Sequence, residues 1–439
     1  MRSNVYLIIV LSFFIAGAET FLGLRQVEEE AVEHNLNKQS LDMEEEATRW
    51  QKISAVGTYL PSFMYSGSYT RSDMESPFTG FQPGMGMPGG QFGALYENSF
   101  SHQFSLNLPL SNGGSEIIVL RLSNQMLAAI NHRQEDTRQQ IILDIRKTYL
   151  NAAVTAEQIT VNKRSIEWAQ KNLEKAKIKL MAETIPKNEV LRWEAEVLDR
   201  EVSHRESQAQ YRELLLYLLL QRGKKIDTSE IASIHLDSLS FFERLYDKQV
   251  IAPEGIVQEH PFFKVLALQE EMSREQVRLE KARLFPRLNA FYSLQWPADS
   301  VLLPESKRYW MAGLRLDIPL VPGLSIFSDI KKSGYDQKKS AYTFEAARRQ
   351  LQVSQLSAQE HLEAAHQEVR AAKKRRDVLT ETVAMMQDRY EGGLANQTEL
   401  LETALQTDLA RTGYIRTLFM YLIYKAEYLR SIGKLEVIQ

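Results

Sequence analysis

Four segments of the chain alternate between apolar and polar residues with a period of two. They lie at about 60–70, 99–110, 286–296 and 309–320. Successive side chains of a β-strand point to opposite faces, so each segment predicts a strand with one apolar and one polar face. Strands of about ten residues can cross an outer membrane at a tilt. A half-buried sheet in a soluble domain is the alternative explanation of the same alternation.

The stretches between these strands carry small and apolar residues at steps that alternate between three and four. In the second half this stripe runs from Leu362 to Tyr390, and subtracting 210 gives a matching stripe from Ala152 to Leu180. Such spacing is the seam of a coiled coil. We therefore predict an antiparallel bundle in which each helix of about 68 residues lies beside two of about 35. The predicted helices are 21–54, 115–182, 187–222, 260–284, 325–391 and 396–432.

The order of these elements is duplicated. Leu108-Pro109-Leu110 resembles Ile318-Pro319-Leu320, and Glu189-Val190-Leu191 resembles Glu399-Leu400-Leu401; both pairs are 210 positions apart. Pro61 and Pro286 are 225 positions apart, so the first half holds 15 extra residues, in a region rich in Gly, Pro and Met. The predicted organisation is a signal peptide at 1–18, a first repeat at 19–222, a connector at 223–259, a second repeat at 260–432 and a tail at 433–439.

The N-terminus has the pattern of a secretory signal peptide. Arg2 is followed by an apolar run from Val5 to Ala16 and then by Ala16-Gly17-Ala18, which suits signal peptidase. An uncleaved N-terminal anchor is the alternative, although the run is short for a membrane-spanning helix. The chain contains no Cys, so disulfides and lipid attachment to Cys are excluded. The net charge of -3 gives no reason to expect nucleic acid as a partner.

Four strands cannot close a barrel, and lipid does not tolerate open strand edges. Several chains must therefore share one barrel if the strands cross a membrane. Three chains with four strands each would form 12 strands, and two or four chains would also close.

No sequence motif indicates catalysis or cofactor binding. The chain has no GxxxxGK[ST], no HExxH and no GxSxG. His361 and His366 are five positions apart, on different faces of a helix, which argues against a zinc site. We expect neither enzymatic activity, nor a cofactor, nor a metal site.

The duplicated order of helix, strand, strand, long helix and helix resembles the TolC family of outer-membrane efflux proteins over about 21–432. The strand exits at Pro109 and Pro319, and the segment from Tyr390-Glu391-Gly392-Gly393-Leu394 to Glu399-Leu400-Leu401-Glu402, carry the resemblance. It implies a mainly α fold with a small membrane β-barrel portion, formed by a homotrimer with a shared 12-stranded barrel in outer-membrane lipid and an α-helical barrel in the periplasm. It also implies two partners, a periplasmic adaptor (membrane fusion) protein and an inner-membrane pump of RND or ABC type.

The same resemblance predicts which residues line a periplasmic constriction. Glu399 and Glu402 match the acidic residues that line it, and three residues apart they share a helix face. In a trimer they would form two carboxylate rings that attract cations. Glu189 is the first-half counterpart of Glu399, and Arg192 replaces the second acid. The alternative is that these acids only favour a helix start.

Tyr390 matches a tyrosine that latches the closed gate in the family. The best-known member has an arginine in the following loop, where this chain has Ala395. The resemblance thus implies a gate latch in which Ala395 stands where the best-known member has an arginine.

Two other functions are compatible with parts of the pattern. A periplasmic coiled-coil scaffold or adaptor would explain the heptads and the signal peptide, but not four strands of membrane-crossing length. A surface adhesin would use the loop from Ser72 to Asn98. The passive conduit from the periplasm to the cell exterior, in an efflux or type I secretion system, explains the whole pattern.

Overall fold

The computed structural model describes residues 20–71, 98–223, 234–247, 259–298, 308–320 and 323–438. The predicted signal peptide, residues 72–97 of the loop from Ser72 to Asn98, and residues 299–307 lie outside these residues. Parts of the predicted connector, 224–233 and 248–258, also lie outside them.

The described chain consists mainly of helices. They are α1 (Leu24–His34), α2 (Leu36–Gly57), α3 (Ser115–Met181), α4 (Lys187–Gln221), α5 (Leu239–Asp247), α6 (Pro261–Ala282), α7 (Gly323–Glu391) and α8 (Gln397–Ser431). The strands are β1 (Thr20–Phe21), β2 (Ser62–Arg71), β3 (Asn98–Asn112), β4 (Ile234–His235), β5 (Arg287–Ala298) and β6 (Tyr309–Asp317). Among the described residues, no helix combines the length and the apolar character needed to cross a lipid bilayer.

The single helix predicted at 21–54 is wrong, because the chain forms two helices there. Asn35 takes an extended conformation with ψ of 127°, and its side-chain Oδ1 accepts a hydrogen bond from the Asn37 N–H at 2.8 Å. Asparagine competes in this way with the helical backbone. At the other end, Thr20 and Phe21 pair with β4, and α1 begins only at Leu24, whose N–H donates to Asp237 Oδ2.

The four long strands form an antiparallel sheet in the order β2-β3-β5-β6. The cross-strand pairs Phe63↔Leu106, Leu106↔Tyr292 and Ala290↔Leu314 place most apolar residues of the four strands on one face. The exceptions include Met64, Phe291 and Met311, which lie on the other face. Pro109 lies inside β3, where it has no N–H to donate. A register shift between Pro109 and Ser111 accommodates it, as expected for a proline at a bulge.

The duplication seen in the sequence is present in the strand register. Ser62 pairs with Asn107 in the first half, and Arg287 pairs with Asp317 in the second. The strand residues Ser62 and Arg287 are 225 positions apart, and Asn107 and Asp317 are 210 apart, the separations found in the sequence. The two hairpins are therefore the same structure built twice.

The chain divides into two compact units. Unit 1 comprises residues 1–43, 131–265 and 346–439, and unit 2 comprises 44–130 and 266–345. The main core of unit 1 joins α1, α3, α4, α5 and α8, with Phe242 of α5 and Phe419 of α8 buried against one another at 4.6 Å between ring centroids. Unit 2 contains the four-stranded sheet and the helical segments next to it.

Candidate constriction at the helix turns

Two turns in unit 1 join the helices that carry the candidate residues. The first turn (182–186) joins α3 to α4, and the second turn (392–396) joins α7 to α8. In each, the residue after the turn's left-handed position donates its N–H five residues back: Thr184 to the Lys179 carbonyl at 3.0 Å, and Leu394 to the Arg389 carbonyl at 2.8 Å. These bonds define a Schellman ending. The two turns are equivalent, 210 positions apart.

The left-handed position is held by different residues in the two turns. It is Gly393 in the second turn, with φ of 73°, but Glu183 in the first, with φ of 56°. Glycine adopts this conformation at no steric cost, whereas an L-residue pays about 1–2 kcal/mol. The packing around the first turn must therefore compensate for the strained conformation of Glu183.

This packing is a buried cluster contributed by four helices. Trp193 and Leu400 are fully buried, with Ala176 and Val190, and Trp168 contacts Trp193 edge-on at 5.4 Å between ring centroids. Gln397 is also buried, and its Nε2 donates to the Glu189 carbonyl at 3.0 Å. The cluster fixes the position of α4 relative to α8, and so the positions of the candidate carboxylates on both helices.

Glu399 takes part in the cap of α8. Asn396 is the N-cap residue, and its Oδ1 accepts from the Glu399 N–H at 2.9 Å while its Nδ2 donates to Glu399 Oε1 at 2.9 Å. This reciprocal pair satisfies one of the free N–H groups of the helix start. Helix capping, the alternative role of Glu399, is therefore realised within the chain, and its role in a constriction stays a prediction.

Glu402 lies one turn further along α8 and is exposed to solvent. Glu399 is exposed as well, so both carboxylates point out of the packed cluster on one face of the helix. Glu189 is half-buried. The charge of Glu402 is thus placed where a neighbouring chain or a passing ion could meet it.

Arg192 brings a positive charge to the start of α8. Its Nη1 donates to Thr398 Oγ1 at 3.1 Å, so the guanidinium of α4 lies beside the residue that precedes Glu399. Arg192 occupies the position equivalent to Glu402, and the structure places it next to the very helix that carries Glu402. The sequence identified the substitution but not this contact.

Tyr390 lies at the end of α7 and is half-buried against α3. The Nζ of Lys179 lies over its ring, 5.0 Å from the centroid, and burial raises the pKa of the Tyr390 hydroxyl. Next to it, Lys175 Nζ and Glu391 Oε1 form an ion pair at 2.6 Å. Tyr390 is therefore neutral at physiological pH and belongs to a contact between α3 and α7 of one chain; its role in a gate stays a prediction.

The two histidines of α7 each contact a different tyrosine. His361 stacks on Tyr424 and His366 stacks on Tyr246, each with 5.4 Å between ring centroids. Within the part of the chain that the structure describes, no group of three or more His, Asp or Glu side chains is arranged to hold a metal ion.

The architecture consists of two equivalent halves, each with a β-hairpin between helices and a long helix that ends in a tight turn. Residues 253–418 match the family model described as outer membrane efflux protein. No curated protein sequence gives a significant match.

Solved structures share the fold over nearly the whole chain. The outer membrane protein VceC of Vibrio cholerae is 12% identical, with a TM-score of 0.78 over 93% of this chain and 96% of that chain. The CmeC outer membrane channel of Campylobacter jejuni is 15% identical, with a TM-score of 0.79 over 95% and 87%. The MtrE outer membrane channel of Neisseria gonorrhoeae, solved in its open state, is 14% identical, with a TM-score of 0.76 over 94% and 89%. These structures show the fold that the chain shares with them, and the match to the outer membrane efflux protein model covers residues 253–418.

Proposed function

We propose that this protein is the outer-membrane channel subunit of a tripartite efflux system, a passive conduit from the periplasm to the exterior. The observation that carries this proposal is the sheet β2-β3-β5-β6. One of its faces is apolar, and its large residues, such as Phe63 and Leu314, are exposed within the single chain at 69% and 68%. Water disfavours such a surface and lipid favours it.

Three copies would close the barrel. Four strands in each chain give 12 strands in a trimer, enough to surround an aqueous channel. The polar face, with Arg287, Gln295, Arg315 and Asp317, would then line the water-filled interior. The match of residues 253–418 to the outer membrane efflux protein model supports this assembly, together with a periplasmic adaptor and an inner-membrane pump of RND or ABC type as partners.

The chain has a passive role in this system. The matched relatives CmeC and MtrE are described as channels, and the sequence carries no nucleotide-binding motif of its own. The energy for export would come from the pump. The rival function, a periplasmic scaffold or adaptor, leaves the exposed apolar face of the sheet without a lipid environment.

Fractionation and conductance test the proposal together. The protein should be extracted by detergent from outer membranes as an oligomer that dissociates on heating, and it should form ion-conducting pores in planar bilayers. Recovery as a water-soluble periplasmic protein without pore activity would contradict the channel and support the scaffold.

We also propose that Glu399 and Glu402 form the narrowest, cation-selective part of the conduit. The support is their exposure on one face of α8, beside a turn that is anchored by the buried cluster around Trp193. Six carboxylates near one axis of a trimer would repel one another, and a bound cation would relieve that repulsion.

A further inference from the structure

A polar cleft of about 340 Å³ lies between α6 and α7 in unit 2. Its lining, within the described residues, consists of Ser, Gln, Lys, Asp and Glu side chains, among them the carboxylates of Glu280, Asp329 and Asp336. Helices of a bundle ordinarily pack against one another through an apolar stripe. Packing therefore gives no reason for a polar cleft between these two helices.

The equivalent pair of helices in the first half, α2 and α3, has a different composition at the same positions. α2 and α6 are 225 positions apart at both ends, and α3 and α7 end 210 positions apart. The positions equivalent to Glu280, Asp329, Lys332, Asp336 and Gln337 are Ala55, Val119, Leu122, Met126 and Leu127. The second half thus carries charged and polar side chains where the first half carries apolar ones, so the shared architecture does not require them.

Ser333, which lines the cleft, provides an observation that is independent of the charges. It is only 8% exposed, and its Oγ has no hydrogen-bond partner among the described residues. The hydroxyl of its equivalent, Ser123, donates to the Val119 carbonyl four residues back at 2.9 Å, as serine commonly does inside a helix. Buried hydroxyl groups are rarely left without a partner. A ligand in the cleft would supply the partner that Ser333 lacks.

The charges around the cleft favour a cationic ligand. Arg283 Nη1 donates to Glu280 Oε2 and to Asp329 Oδ2, each at 2.9 Å, and so neutralises part of their charge. Asp336 and Lys332 form no ion pair within the described residues. Three carboxylates against two cations leave one net negative charge, and the carboxylate of Asp336 has all its acceptor positions open to a ligand.

We propose that the cleft between α6 and α7 binds the primary ammonium group of an organic ligand. An ammonium group has three N–H donors and a positive charge, which match the carboxylate of Asp336 and the unpartnered hydroxyl of Ser333. The side chains of the described residues do not form a metal site, so an inorganic ion is a poorer match. Free diamines and the headgroup of phosphatidylethanolamine both carry this group. The inference goes beyond the proposed conduit and does not depend on it.

Calorimetric titration of the purified full-length protein with 1,4-diaminobutane tests the site. Asp336→Asn should weaken saturable binding about tenfold, because it removes a charge-assisted hydrogen bond. Asp336→Met introduces the residue type found at the equivalent position of α3, Met126, and should abolish binding. The matched control Glu381→Gln removes an exposed carboxylate elsewhere on α7 and should bind like the unchanged protein. Thermal unfolding of each variant verifies that the fold is intact.

A second titration distinguishes the two sources of the ammonium group. Short-chain phosphatidylethanolamine is compared with phosphatidylcholine, whose quaternary ammonium has no N–H to donate. Asp336-dependent binding of phosphatidylethanolamine alone would identify a lipid headgroup as the ligand, and such binding of the diamine would identify a free solute.

Three results would overturn the proposal. Saturable binding of neither ligand would leave the cleft as a solvated surface between two helices. Equal weakening in Asp336→Asn and Glu381→Gln would show attraction to the overall charge of the protein and no defined site. Equal binding of phosphatidylcholine would exclude recognition of the N–H donors. None of these measurements involves conductance, so the proposed conduit is tested separately.

Discussion

Arg146 and Glu28 form a buried, two-pronged ion pair in the core of unit 1, although they are 118 positions apart. The Arg146 Nη2 also donates to the Glu436 carbonyl at 2.7 Å, and Glu28 Oε2 accepts from the Ile438 N–H at 2.9 Å. The pair thus holds α1, α3 and the C-terminal tail together.

Removing one partner should be strongly destabilising. Glu28→Ala leaves the Arg146 guanidinium buried without its counter-ion, which costs about 3–5 kcal/mol. Denaturant unfolding, or heat dissociation of the oligomer, measures the loss. The control is Glu29→Ala, which removes an exposed ion pair with Arg25 and should cost less than about 1 kcal/mol. Equal losses in the two variants would contradict the role given to the buried pair.

The buried cluster at the helix turns should control their order. Trp193→Ala removes a fully buried side chain and should cost about 3–5 kcal/mol. The α3–α4 turn should become open to protease as a result, because Glu183 is strained and depends on this packing. Glu183→Gly should instead remove up to about 1 kcal/mol of strain. Limited proteolysis of the two variants measures both effects, and unchanged cleavage in Trp193→Ala would refute the dependence.

The two carboxylates of α8 should govern ion selectivity. Glu399→Gln/Glu402→Gln removes both charges but keeps a side-chain oxygen for the contact with Asn396. Cation selectivity, and block by polyvalent cations from the periplasmic side, should both fall while oligomer stability is unchanged. Planar-bilayer recordings give the reversal potential and the block.

Asn396→Ala is the matched control for this experiment. It removes the helix cap at a cost of about 1 kcal/mol and leaves both charges in place. Selectivity that is unchanged in the double variant would assign Glu399 and Glu402 to the helix start alone.

The apolar face of the sheet should tolerate no charge. Leu316→Arg places a cation on the proposed lipid face, at about 2–4 kcal/mol in each copy near the bilayer centre, and should abolish the oligomer in outer membranes. Arg315→Gln, its neighbour on the polar face, loses an exposed ion pair with Asp317 and should assemble normally. Normal yield of the Leu316→Arg oligomer would reverse the assignment of the two faces.

Labelling from outside the cell tests the orientation. Gly86→Cys lies outside the described residues, in the loop from Ser72 to Asn98, which we propose to face the exterior. It should react with an impermeant thiol reagent on intact cells. Ala395→Cys, in the α7–α8 turn, should react only after the outer membrane is permeabilised. The reverse pattern would invert the proposed topology.

Periodic features of this fold follow from the sequence alone. The alternation in β2, β3, β5 and β6 and the stripes on α3 and α7 arise because a strand or a helix repeats its own geometry along many residues. The separations of 210 and 225 could be read from a few landmarks, and the strand registers follow them. The alternative that Glu399 favours the start of a helix also follows from the sequence, whereas its contact with Asn396 is seen only in the structure.

The tertiary structure decided what depends on partners far apart in the chain. The helix predicted at 21–54 is interrupted at Asn35, Arg192 contacts Thr398, and Arg146 forms an ion pair with Glu28. Sequence periodicity does not predict such contacts, because the partner of a polar side chain is determined only when the helices pack together. A repeat fixes which positions are equivalent, but the free energy of each contact belongs to the particular pair of residues that the fold brings together.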